Sequence, residues 1–161
     1  MRKQLGIFLA VIISTLIVVG CSNNSDDASQ ENLSVTAVQV ANIAQSGEWR
    51  ITYFYDTDQE ETGNFSGYSF SFNENGALVA VNGNTTVTGT WSITDNSGSS
   101  SDDDGSSSDN DNDFNIFFAS PDIFNDLSDD WDIISISEEK IELIDVSGGN
   151  GGTDYLTFEK I

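Results

Sequence analysis

From Trp49 onward the chain alternates apolar and polar side chains, the period-two signature of β-strands with one buried face. Trp49, Ile51, Tyr53 and Tyr55 fall on one side of a first strand. Tyr68, Phe70 and Phe72 do the same around Ser69 and Ser71, and Asn73-Glu74-Asn75-Gly76 supplies a turn into Ala77–Val81. The cleanest run sets Val87, Gly89, Trp91 and Ile93 against Thr86, Thr88, Thr90, Ser92 and Thr94. Such a pattern predicts an antiparallel strand with one wet face. Phe114, Ile116 and Phe118 begin another strand; Trp131–Ser137, Lys140–Val146 and Tyr155–Lys160 complete the set.

Three segments break the alternation. Residues 33–46 carry Leu33, Ala37, Val40, Ala41 and Ala44 at helical spacing, while Val38 and Val40 alternate like a strand; the alanine content and the stop at Gly47 favour a short helix. Residues 96–112 contain only Asn, Ser, Gly and Asp, so they cannot bury apolar surface and are expected to form a disordered acidic loop. Ser120-Pro121-Asp122 is expected to open a helical turn through Leu127, with Ser120 as its cap and Pro121 in its first position. The glycines of residues 148–152 read as a hairpin turn. They lack the lysine and the strand-to-helix context of a phosphate-binding loop.

About eight short strands with turns between most of them predict an all-β fold. An up-and-down antiparallel barrel removes every sheet edge, and a two-sheet sandwich is the alternative. A barrel of eight strands is either filled by its side chains or holds one small ligand.

The first 20 residues follow another logic. Arg2 and Lys3 precede an apolar run from Leu5 to Val19. At ~1.5 Å per residue a 15-residue run spans roughly 22 Å, short of the ~30 Å hydrocarbon core of a bilayer. The run therefore reads as a secretory signal. It ends in Val18-Val19-Gly20-Cys21, which resembles the lipobox of bacterial lipoproteins. That resemblance implies cleavage before Cys21, a diacylglycerol on its thiol and acylation of the new amino terminus. Two or more acyl chains give stable membrane anchoring, where one is marginal. Residues 21–32 then form a polar tether. Within it Ser25-Asp26-Asp27 resembles the acidic export signal of surface-displayed lipoproteins. The implied location is the bacterial cell envelope, at the outer membrane and extending to the cell surface.

Composition narrows the chemistry. Cys21 is the sole cysteine, so lipidation leaves no thiol for catalysis, disulfides or metal binding. Histidine is absent, which removes the commonest general base and transition-metal ligand. No serine sits in a nucleophile-elbow motif. An enzyme is not expected. Loss of Arg2 and Lys3 leaves Arg50, Lys140 and Lys160 against all 27 acids, a net charge of −24. Such a charge repels nucleic acid and anionic membrane surfaces and favours cations or basic partners. Asp109, Asp111 and Asp113 alternate like the opening of a calcium loop. Phe114 then stands where such a loop needs glycine and Ser120 where it needs a bidentate acid. What remains is the expectation of a weak Ca²⁺ site, with no other cofactor.

Gly47-Glu48-Trp49, at the entry to the first strand after a short helix, resembles the G-x-W element of lipocalins. Gly89-Thr90-Trp91-Ser92-Ile93 echoes it, and Phe70-x-Phe72-x-Glu74-x-Gly76 resembles the small lipocalin-like domains of bacterial lipoproteins. The likeness covers residues 45–161. It implies that Trp49 closes the base of a barrel against a basic residue near the end of the last strand, for which Lys160 is the candidate. It also implies binding of a small molecule; the aromatic-rich inner face makes an apolar or amphiphilic ligand the expectation, with Tyr53, Phe70, Trp91 and Phe118 lining the interior. The competing expectation is a filled barrel that engages another envelope protein.

Overall fold

The computed structural model describes residues 36–95, 112–146 and 152–161. The signal sequence, Cys21, the tether, Asp109, Asp111, most of the acidic loop and most of the glycine-rich turn lie outside the described residues.

The order is α1 (Ala37–Gln45), β1 (Glu48–Asp56), β2 (Gln59–Glu60), a 3₁₀ turn (Thr62–Phe65), β3 (Ser69–Phe72), β4 (Ala77–Asn82), β5 (Thr85–Asp95), β6 (Asn112–Phe117), α2 (Asp122–Asn125), β7 (Asp129–Ile136), β8 (Lys140–Val146) and β9 (Thr153–Lys160). From β3 to β9 each strand pairs antiparallel with the next. β9 returns to β1, from Trp49 opposite Lys160 to Tyr55 opposite Tyr155. That last pairing decides between barrel and sandwich. β1 and β3–β9 close an eight-stranded up-and-down antiparallel barrel, and β2 is a two-residue hairpin arm on the end of β1.

β1 meets β3 through only two residue pairs. Beyond them the 3₁₀ turn takes over the sealing. Phe54 N–H donates to Thr62 Oγ1 at 2.8 Å, and Glu61 N–H donates to the Phe54 carbonyl. No described helix is long and apolar enough to cross a membrane.

α1 forms because Thr36 and Gln39 make a capping box. Each satisfies the other's backbone N–H, and Val40 and Ala44 then turn a buried face toward the core. At α2 the sequence expectation is off by one position. Pro121 occupies the cap and Ser120 makes no capping bond. At the end of the acidic segment, Asn112 belongs to β6 rather than to a loop and is buried.

The larger correction concerns β1. The pairing with β9 shifts between Ile51 and Tyr53, a β-bulge at Thr52. One extra residue reverses the side-chain parity of everything after it. Trp49 and Ile51 face the core, but the next inward residue is Phe54, while Tyr53 is 41% exposed. The four residues expected on one face are therefore split between two. A second bulge between Ile133 and Ser135 leaves Ile134 exposed in the same way.

β5 keeps its expected alternation because nothing interrupts it. Gly89 is required there by close packing. A Cβ on it would collide with the Phe117 carbonyl oxygen and approach the Phe118 ring to 2.6 Å. At the α1 end of the barrel the core begins with Trp49 under Val40 and Ala44. At the opposite end Phe65 and Phe124 enter from the 3₁₀ turn and α2. All three indole N–H groups donate to backbone carbonyls: Trp49 to Ala44 (2.8 Å), Trp91 to Asn73 (3.0 Å) and Trp131 to Leu127 (3.1 Å). Trp49 and Trp131 tie β1 and β7 to the segments just before them and Trp91 ties β5 to the β3–β4 turn, each bond satisfying a donor that burial would otherwise leave costly.

Candidate functional site

The interior is the first place to look for a site. Phe70 lies within 5.5 Å of the Phe158 ring centroid, edge to face, and within 6.2 and 6.4 Å of Phe124 and Phe65. Trp91 stacks on Phe114 at 5.9 Å and meets Phe72 edge-on at 5.3 Å. Phe118 meets Phe124 at 5.0 Å. These separations are those of aromatic pairs in van der Waals contact. The faces that would line a ligand chamber are taken up by other rings. Tyr53, expected among the lining residues, points to the outside of the barrel because of the Thr52 bulge. Among the described residues no buried side-chain donor or acceptor lacks a partner.

The three residues of the G-x-W likeness do come together. Trp49 and Lys160 are register partners across β1 and β9. The Lys160 ammonium sits 5.7 Å from the Trp49 ring centroid and donates to Ser46 Oγ at 2.9 Å. The role of Gly47 is spatial. A Cβ there would lie 2.6 Å from Lys160 Cε, so glycine clears the path along which the lysine stem crosses the indole. This is a cation–π contact used to close a barrel end. The Trp49 ring is wholly buried and offers no open surface.

The opposite end has a different chemistry. Asp129, Asp145 and Asp154 each lie two residues from a buried core residue, Trp131, Leu143 and Leu156 in turn, so all three share the inward register. Their carboxylate oxygens lie within 4.8 Å of one another. Asp145 and Asp154 are paired across β8 and β9, and Asp154 Oδ1 also accepts from the Thr57 N–H. Convergent carboxylate oxygens of this kind are what a hard divalent cation takes. Asp113, from the expected calcium loop, is elsewhere. It stands opposite Thr94 and Asp132 in the sheet.

Like charges gathered at a half-buried rim resist ionisation. Desolvation first, then a hydrogen bond with Asp130 and the charge of Asp145, push Asp129 up to about 6. Desolvation, with the charges of Asp145 and Asp130, raises Asp132. Desolvation, with Asp56 and Asp122, raises Asp126. The folded state therefore binds protons that the unfolded chain, with ordinary carboxylates near ~3.9, does not. Stability is expected to rise as pH falls from about 7 through 6 toward 4, and to stop rising from this source once both states are protonated. Glu142 works in the opposite sense only at lower pH, because its hydrogen bonds with Lys140 and Ser135 hold it below the usual range. Thermal melts between pH 7.5 and 4.5 should show the midpoint climbing on acidification, with a flatter climb in Asp129→Asn. A midpoint that falls over that interval would contradict the assignment.

No protein-family model matches the chain, and no curated protein matches it. Among solved structures it is similar to a DUF4847 family protein from Bacteroides vulgatus, at 17% identity and a TM-score of 0.45, over 76% of this chain and 97% of that one.

Proposed function

We propose that this chain is a lipid-anchored protein of the bacterial cell envelope whose filled barrel is a rigid scaffold for contact with another protein, not a carrier of a small molecule. The observation that carries the reading is the interior. Phe70, Trp91 and Phe118, the residues that would line a ligand chamber, spend their faces on Phe158, Phe114 and Phe124. A barrel of this strand number is narrow enough for its own side chains to fill. A chain with no histidine, and no thiol beyond the lipidated Cys21, is poorly equipped for general-base or nucleophilic catalysis. What it can offer is surface, held at the membrane by Cys21 on a polar tether, with Ser25-Asp26-Asp27 favouring display at the outer membrane.

Formaldehyde crosslinking of intact cells carrying the tagged full-length chain, followed by denaturing purification, tests the reading. A reproducible adduct with an envelope protein is expected for the wild type and should be lost in Cys21→Ala. Recovery of the chain without any adduct would overturn it.

A further inference from the structure

Among the described residues, the outer surface of β1, β9 and β8 carries an aromatic and aliphatic strip in which Tyr53 is exposed and Tyr55, Tyr155 and Ile144 are half-buried. After the Thr52 bulge Tyr53 and Tyr55 both point outward and stack on each other, with centroids 6.4 Å apart and rings 14° from parallel. Sheet register extends the strip sideways. Tyr55 stands opposite Tyr155 on β9, and Tyr155 stands opposite Ile144 on β8. Val146, 57% exposed, follows two residues further along β8. Nothing in the core needs these side chains outside.

Charge says what kind of surface can cover the strip. Two of its borders are acidic, with Glu60 paired with Tyr55 and Asp132 with Ile144; on the third, Glu142, opposite Thr157, is neutralised by Lys140. The three cations of the described residues are already engaged, Arg50 with Glu159, Lys140 with Glu142, and Lys160 with Ser46 and Trp49. They lie at the α1 end of the barrel, away from the carboxylate-rich mouth formed by Asp129, Asp145 and Asp154. A second copy of this chain would bring the same acidic border to the contact, and an anionic lipid surface would be repelled as well. A polypeptide that pairs apolar side chains with lysine or arginine satisfies both features. Its apolar groups cover the strip, and its cations meet the tyrosine faces and the carboxylate border.

We infer that the Tyr53–Tyr55–Tyr155–Ile144 face is a docking surface for a basic, amphipathic segment of a partner protein. The inference rests on the scaffold reading above and assigns that reading a surface and a partner chemistry. Tyrosine-rich patches with polar borders are where interface energy concentrates.

The test uses the full chain and a labelled ten-residue peptide of alternating arginine and leucine, followed by fluorescence anisotropy in ~0.15 M salt. A glutamate–leucine peptide is the control. The arginine peptide should bind and the control should not. The double variant Tyr53→Ser/Tyr155→Ser should weaken binding by about ten-fold or more. Val81→Ser, an exposed site on the far side of the barrel, should leave it unchanged. Melting curves of the variants confirm that they are folded; a single Tyr155→Ser with at least three-fold weakening serves if the double variant is not. Equal binding by wild type and tyrosine variants, or equal loss in Val81→Ser, would overturn the inference. The two readings fail separately. A crosslinked adduct in cells that survives Tyr53→Ser/Tyr155→Ser removes this face and keeps the scaffold, whereas no adduct from the wild type removes the scaffold itself.

Discussion

Trp49→Ala is expected to destabilise the domain by about 3–5 kcal/mol, the usual cost of deleting a large aromatic from a closed core. The cost has three sources here. Trp49 is 0% exposed, so the substitution removes a full indole of buried apolar surface and leaves a void beneath Val40 and Ala44. The Ala44 carbonyl loses its 2.8 Å partner. Lys160 loses the ring over which its ammonium sits. β1 and β9 close the barrel at this residue pair, so loosening is expected to begin at the closure. Urea unfolding of wild type and variant gives the difference directly. Trp49→Phe, which keeps one aromatic ring and loses the rest of the indole with its N–H bond, should cost clearly less. A loss below ~1 kcal/mol for Trp49→Ala would mean that the barrel end is not held by this residue.

Cys21→Ala is the second large effect, and it is all or none. If Cys21 carries the lipid, cells fed an alkyne-tagged fatty acid should label the wild-type chain and leave the variant unlabelled. The variant should also move from the membrane pellet to the soluble fraction. Two or more acyl chains contribute roughly 0.8 kcal/mol per buried methylene, enough for stable anchoring, and the variant would have none. Equal labelling of both chains would refute the lipobox reading.

What the sequence made legible follows from where the determinants lie. The β5 alternation of Val87, Gly89, Trp91 and Ile93 is visible because an uninterrupted strand writes its burial pattern straight into residue order. The barrel follows from strand number and turn spacing, and its closure adds only the pairing of β1 with β9. The outward turn of Tyr53 is not legible locally, because the Thr52 bulge is set by pairing with a strand about a hundred residues away. β2 and the 3₁₀ turn were unread because Gln59-Glu60 and Thr62–Phe65 have too few residues for either period to show. The acidic mouth was hidden for a topological reason. Asp129, Asp145 and Asp154 are scattered among 27 acids, and only the register of β7, β8 and β9 selects those three. The expected calcium loop drew on a local spacing, whereas the carboxylates that converge do so across strands.

The α1 end holds the cations and the Trp49–Lys160 closure, and the far end gathers the carboxylates. The apolar strip runs along one flank of a core in which Phe70, Phe72, Trp91 and Phe158 meet ring to ring. A scaffold needs such a core for rigidity, since a well-packed interior fixes the surface above it. A carrier would need the opposite, a preformed apolar chamber.

That contrast can be read from mass alone. Native mass spectrometry of the mature protein, released in mild detergent from the cells that make it, should give the acylated chain and nothing more. A small molecule bound one to one, retained in the native spectrum and lost on denaturation, would contradict the filled barrel.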